Sequence, residues 1–224
     1  MNLPLLILRP EPGATATAQR AQRLGLVAVR YPLFEVRPCA WEAPDPAGFD
    51  AMLLTSANAV RNAGPNLALY RHLPVYAVGE QTAAAARELG FNVAGVGRSG
   101  VQAMAELMAA RAHSRVFHPA GHDRTEFNPG PLVIVRRSVY EAVEAGTAEG
   151  LAASMPQEAV ALVHSPRGAK RLARLIPMIE RRHLHLLAIS PAVLDAAGAG
   201  WASAACAPRP DDEALLALAA ALCK

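Results

Sequence analysis

At 224 residues, 52% apolar and 18% charged, the chain can bury a sizeable core and lies far from the disordered regime; its length suits one large α/β domain or two domains of roughly 100 residues. The net charge of +3 comes from basic residues that are scattered rather than blocked. With no basic run interleaved with aromatics, nucleic acid is excluded as an expected partner.

The first element, "LLILR" (Leu5–Arg9), belongs to an apolar run, Leu3 to Leu8, that stops at Arg9-Pro10. That run has no basic flank and is too short for a signal peptide or a membrane span. "GATATAQRAQRLG" then reads as a helix that closes on Gly25, and "LVAVRYPLF" (Leu26–Phe34) as a second strand. "EVRPCAWEAPDPAGF", with Pro38, Pro44 and Pro46, reads as a linker. A new series begins at "DAMLLTS" and continues through "VYAVG", the helix "EQTAAAARELG", "FNVAGV", the helix "GVQAMAELMAARAH" and "SRVFHP". "GPLVIVRRSVYEAVEAG" (Gly130–Gly146) is one long extended run. The last third alternates again: "EAVALVHS", the helix "PRGAKRLARLI", "LHLLAIS", the helix "PAVLDAAGAG", "WASAACAP" and "DDEALLALAAAL". That final helix opens on Asp211-Asp212-Glu213, acids that suit a helix N-terminus. The Ala-rich tract from Leu186 to Pro208 is broken by Pro191, Asp195 and glycines, so it predicts no spanning helix. Cys39, Cys206 and Cys223 show no CxxC spacing and predict reduced thiols. A soluble, cytoplasmic protein is the expectation.

Two blocks repeat. "MLLTSANAVRNA" (Met52–Ala63) and "ALVHSPRGAKRL" (Ala161–Leu172) each run a strand through a serine turn into a helix, and their serines, Ser56 and Ser165, stand 109 residues apart. Each block goes on to a second strand and a small-residue turn, at Gly79 and Ser190, and closes on Gly with an aromatic (Gly90-Phe91, Gly200-Trp201). A domain-sized offset predicts two similar α/β domains rather than a solenoid. Strand–helix alternation predicts right-handed βαβ units and mostly parallel sheets. The first two strands are too few for a domain, and the last block is also short. The expectation is therefore a discontinuous domain, residues 1–34 with 142–224, holding an inserted domain, residues 35–141, with the active-site cleft between them.

The repeated turns lie at strand carboxyl ends, where parallel sheets bind ligands and helix starts offer unpaired N–H groups to anions. Helix capping explains any single serine or threonine there. Four, at Ser56, Thr82, Ser165 and Ser190, fall in matched pairs and point to two carboxylate-binding edges. "GVGRSG" (Gly95–Gly100) spells GxGxxG, but no acid ends the next strand, "VFHPAGHD", so a turn capped by Ser99 is expected rather than a dinucleotide site. In "HPAGHD", Pro119 and Gly121 break any helix that would align His118 with His122, and no third ligand follows; "HLH" (His183, His185) is no better supported, and no metal is expected. Tyr140 lies in a polar-flanked extended run, where the residues alone favour a ring packed on a domain edge over a phenol in a cleft.

Taken in order, "LLILRPEPGATATAQRAQRLG…YPLF", "FDAMLLTSANAVR", "VYAVGEQTAAAARELGF", "VIVRRSVYEAV", "AVALVHSPRGAKRL" and "LLAISPAVLDAAGAGW" resemble the uroporphyrinogen-III synthase family across nearly the whole chain. The resemblance implies an α/β protein of two flavodoxin- or Rossmann-like parallel-sheet domains, the second inserted in the first and joined to it by a two-stranded β-ladder. It implies a lyase that takes hydroxymethylbilane to uroporphyrinogen III without a cofactor, folding a floppy polyanion into productive geometry. Tyr140 is implied as the catalytic phenol, and Arg9, Ser56, Asn58, Gly79, Thr82, Ser165, Arg167 and Ser190 as substrate-binding. A monomer, with transient handover from hydroxymethylbilane synthase, is implied as well. The chain departs from the family at Ser190-Pro191-Ala192, where Gly is usual, and between His118 and Leu132, where a helix is usual. The alternatives are a divergent synthase relative, which these departures would mark, and a non-enzymatic two-domain protein that closes on a small anion, separable by turnover.

Overall fold

The structure is a computed structural model that describes residues 3–97, 100–123 and 126–223. In chain order its elements are β1 (Leu5–Ile7), α1 (Gly13–Arg23), β2 (Ala28–Arg30), β3 (Phe34–Pro38), β4 (Ala51–Leu54), α2 (Ala57–Asn62), β5 (Val75–Val78), α3 (Glu80–Glu88), β6 (Val93–Gly97) and α4 (Val101–Ala110). There follow β7 (Arg115–Gly121), β8 (Val133–Glu144), α5 (Ala148–Ser154), β9 (Ala159–Val163), α6 (Pro166–Leu175), α7 (Met178–Arg181), β10 (Leu184–Ala188), α8 (Pro191–Ala197), β11 (Ser203–Cys206) and α9 (Asp212–Leu222). The chain forms two compact units, one of residues 1–35 with 143–224 and one of residues 36–142.

The first unit holds a five-stranded sheet in the order β11-β10-β9-β1-β2, parallel throughout. Its inner strands β1 and β9 carry unbroken apolar runs because helices cover both faces, and every residue of the two is buried. On one face Leu5, Ile7, Val160, Leu162 and Leu187 pack against alanines of α1 and α9, whose small side chains let the helices approach closely. The second unit's sheet runs β3-β8-β7-β4-β5-β6, and its β8-β7-β4-β5-β6 pairs are parallel.

The repeat seen in the sequence is a repeat of architecture. Shifted by the Ser56–Ser165 offset, β4, α2, β5, α3, β6 and α4 fall within a few residues of β9, α6, β10, α8, β11 and α9. The sheet orders agree as well: β6-β5-β4-β7-β8 matches β11-β10-β9-β1-β2. The places of β7 and β8 are thus taken in the first unit by β1 and β2, from the start of the chain.

Three stretches differ from the sequence reading. The second strand is only Ala28–Arg30, on the sheet edge, not Leu26–Phe34. The proline-rich linker is partly structured: it contributes β3 and a short 3-10 turn, Pro46–Gly48, and is held down by Trp41. That indole donates to the Ala63 carbonyl at 2.7 Å and stacks on Phe117, which in turn stacks on Tyr70 at 4.1 Å. Most of the chain's few aromatics gather in this one cluster, with Phe49 and Phe91. Finally, the glycines of "GVGRSG" serve packing. A Cβ at Gly95 would meet the Tyr76 ring at 2.9 Å, and one at Gly97 would meet the Met104 methyl at 2.6 Å. Ser99, the expected cap, lies outside the described residues.

The parallel crossover from β7 to β8 contains no helix among the described residues. Phe127 and Leu132 instead pack on the sheet face with Met104 and Met108. The Asn128 N–H donates to Gln102 of α4, which ties this segment to that helix. No helix of the described residues is long and apolar enough to cross a membrane.

Candidate functional site

In the second unit the parallel strands end together. β4 passes through Thr55 to Ser56, whose extended backbone turns the chain into α2 while its Oγ accepts from the Asn58 N–H at 3.1 Å. That cap uses the oxygen as an acceptor and leaves the hydroxyl proton to donate. Gly79, at φ +86°, makes the equivalent turn into α3, and its N–H donates to the Gly97 carbonyl at 2.8 Å. Thr82 is buried within α3, so its hydroxyl does not stand on the open turn as expected.

At this edge lies a pocket of about 380 Å³, lined by Thr55, Ser56, Val78, Gly100, Val101, Gly121, Asp123 and Tyr140. Its size suits a small-molecule group. Tyr140 is aimed there by an irregularity in the β7–β8 ladder: Ala120 pairs with Ser138 but Gly121 with Tyr140, so β8 holds an extra residue. Such bulges re-aim side chains. The buried Val139 turns into the aromatic cluster, and the Tyr140 ring settles on Gly121. A Cβ at Gly121 would fall 2.7 Å from the ring's Cζ and 2.8 Å from the phenol oxygen, so this position must be glycine for the ring to lie there. Behind the pocket, His118 is buried, with Nε2 3.2 Å from the Thr55 hydroxyl. Among the described residues no three His, Cys, Asp or Glu side chains are grouped to hold a metal.

The first unit has the equivalent edge. Ser165 caps α6, with its Oγ accepting from the Gly168 N–H at 3.1 Å. Arg167, in the first turn of α6, lies over the Phe34 ring at 4.5 Å. Ser190 has the same extended backbone at the start of α8 but makes no capping bond with its side chain. Where the second unit has Thr55, the repeat places His164, and this residue joins a charged network. His164 Nε2 is 2.9 Å from Asp212 Oδ1. Thr17 donates to the same carboxylate at 2.9 Å, Arg20 at 2.7 Å, and Arg9 Nη1 lies 3.5 Å from it.

Burial acts to raise the Asp212 carboxyl, but hydrogen bonds from His164 and Thr17 and the charge of Arg9 overcome it and hold the group down at about 2. Burial lowers the His164 imidazole; the bond to Asp212 opposes this and Arg9 adds to it. His164 is thereby kept neutral, donating from Nε2.

Of the residues expected from the sequence, Ser56 and Tyr140 share one pocket, while Asn58, Gly79 and Thr82 are not among its lining. Arg9 sits in the Asp212 network, and Ser165, Arg167 and Ser190 stand at the starts of α6 and α8. Thr55 and His164 are not singled out in the sequence, while Gly121 and Asp212 read there only as a helix breaker and a helix-start acid, and Asp123 only within the rejected metal motif. The repeat held a signal for two of them, since Thr55 and His164 are the polar residues just before its two serines.

Hydroxyls, a phenol and charged groups at the carboxyl ends of parallel strands define a two-unit α/β protein built for a polar ligand. The family model of uroporphyrinogen-III synthase HemD matches residues 15–217. The chain belongs to this family of lyase-type enzymes, which act on a tetrapyrrole in haem biosynthesis. No curated protein matches the chain significantly. Among solved structures it is similar to the uroporphyrinogen-III synthetase of Helicobacter pylori, at 20% identity and a TM-score of 0.71 over 98% of this chain and 99% of that one. It is also similar to a mutant uroporphyrinogen III synthase of Thermus thermophilus, at 16% identity and a TM-score of 0.53 over 98% of each chain. At these identities the likeness speaks to the fold.

Proposed function

We propose that this chain converts hydroxymethylbilane, a linear tetrapyrrole with an acetate and a propionate on every ring, into uroporphyrinogen III with loss of water and inversion of ring D. The observation that carries the catalytic assignment is the Tyr140 phenol seated against Gly121 in the second unit's pocket. In this reading the phenol gives its proton to the hydroxymethyl oxygen as the carbon–oxygen bond breaks and water leaves. The pyrrole nitrogen lone pair supplies the electrons, so ring A becomes an azafulvenium cation. Its carbon bonds to the substituted carbon of ring D; the spiro intermediate fragments and recloses with ring D inverted. The final loss of a proton returns that proton to the phenolate. No step calls on a cofactor.

The carboxylates are bound by Arg9, by the free hydroxyl protons of Ser56, Ser165 and Ser190, by Arg167, and by backbone around Asn58 and Gly79. Thr82 supports this set from within α3. The same reading takes the enzyme as a cytoplasmic monomer that receives its substrate by transient handover from hydroxymethylbilane synthase, which sedimentation with and without that enzyme tests.

Tyr140→Phe removes only the hydroxyl. General-acid assistance is typically worth about 10²–10⁴-fold, and water replaces part of it, so kcat falls roughly 10–100-fold while KM and Tm stay nearly constant. Full turnover with a raised KM would make Tyr140 a binding residue.

A further inference from the structure

The Asp212 network does more than close a helix onto a sheet. We propose that Asp212 is a positioning residue that holds the Arg9 guanidinium as a preset carboxylate fork, an inference that rests on the functional reading above.

Arg9 is held from two sides. Its Nη1 faces Asp212 at 3.5 Å and Thr17 Oγ1 at 3.4 Å. Its Nε, Cζ and Nη2 lie against Gly13 at the start of α1, where a Cβ would come within 2.5 Å of Nε and 3.0 Å of Nη2. Among the described residues Arg9 makes hydrogen bonds only through Nη1, so Nε and Nη2 keep their donors. Those two nitrogens are the pair that grips a carboxylate bidentately. The side chain is 29% exposed, enough to be reached and too little to swing freely.

Asp212 is itself fixed by the groups around it. His164, Thr17 and Arg20 each bring a donor within 2.9 Å of its oxygens. With His164 neutral, Arg9 and Arg20 against Asp212 leave one uncompensated positive charge, which suits one substrate carboxylate. In the second unit the matching position, Thr55, lines the pocket and lies 3.2 Å from His118 Nε2.

The test separates positioning from plain electrostatics. Asp212→Asn removes a negative charge beside Arg9; if charge alone mattered, an anionic substrate would bind better and KM would fall. If Asp212 positions Arg9, KM for enzymatically generated hydroxymethylbilane rises about 10-fold with kcat within a factor of about three. Arg9→Gln raises KM at least as much. The double variant Arg9→Gln/Asp212→Asn is no worse than Arg9→Gln alone, because the carboxylate acts through the guanidinium. Thr17→Val, which leaves the charges in place, gives a smaller rise in KM that disappears in the Arg9→Gln background and covers the case in which Asp212→Asn does not fold. A KM that falls or holds in Asp212→Asn, or losses that multiply in the double variant, overturns the proposal. A wild-type protein that forms no uroporphyrinogen III would instead strike the functional reading.

Discussion

Gly121 and Tyr140 show how one residue's missing side chain sets another's place. Gly121 has no left-handed backbone that demands glycine; what it supplies is room, since a methyl there would sit 2.7 Å from the phenol ring. Gly121→Ala therefore leaves the backbone of β7 unstrained but pushes the ring out of its seat. The expected result is a loss of kcat comparable to that of Tyr140→Phe, with Tm lowered by a few degrees from imperfect repacking, as for ~1–2 kcal/mol of overpacking. A Gly121→Ala enzyme with wild-type kcat would show that the ring's position is immaterial. Tyr140 itself could be named from the sequence through the family pattern, since its extended run alone reads as a ring packed on a sheet edge. The role of Gly121 and the ladder irregularity could not, because they depend on which residue of β8 faces which residue of β7. His164 and Asp212 were hidden for a similar reason: they stand 48 residues apart and meet only when α9 is laid beside β9.

At the level of elements, the serine turns separate into two kinds. Ser56 and Ser165 cap their helices through Oγ, whereas Ser190 does not. Ser165→Ala should cost about 1 kcal/mol of stability, the usual loss for a removed cap, while Ser190→Ala should stay within about 0.5 kcal/mol. If the hydroxyls also bind carboxylates, both variants raise KM, and Ser190→Ala does so without touching Tm. Thermal unfolding and steady-state kinetics on the same preparations check the contrast. The repeated strand–serine–helix unit was readable because hydrophobic runs and caps are local. The proline-rich segment after β3 misled because its order comes from Trp41 and Tyr70, which reach the Ala63 and Pro44 carbonyls across 22 and 26 residues. Likewise "GVGRSG" carried a ligand motif whose glycines at 95 and 97 clear space for Tyr76 and Met104.

For the molecule as a whole, the two units should respond differently to acid. In the first, the Asp212 carboxyl sits at about 2, below its ordinary 3.8, so the stability it brings is complete above roughly pH 4 and lost as the pH falls through 2. His164 is also lowered, by burial, so below about pH 6.5 the unfolded chain takes up a proton that the folded one resists, and stability falls from that point down. In the second unit, burial acts to raise Asp50, but hydrogen bonds from Ser114 and Arg115 outweigh it and lower the group, so its contribution fades only in the carboxylate range. The first unit should therefore begin to loosen at a higher pH than the second. Hydrogen exchange followed from about pH 7 to pH 4, across the two titration ranges, should show β9 and α9 losing protection before β4 and β7. His164→Gln, which still donates to Asp212 but does not titrate there, should flatten that early loss; an unchanged profile in this variant would assign the acid response elsewhere.

Whether the chain catalyses a ring closure with inversion is tested most directly by the distribution of its products. Purified protein is supplied with hydroxymethylbilane made in situ, and the isomers are separated against a control without it. Catalysis by this family's chemistry predicts that uroporphyrinogen III dominates and that its rate scales with protein concentration. Only the uninverted isomer, formed at the control rate, would contradict it and leave a protein that merely holds its anion.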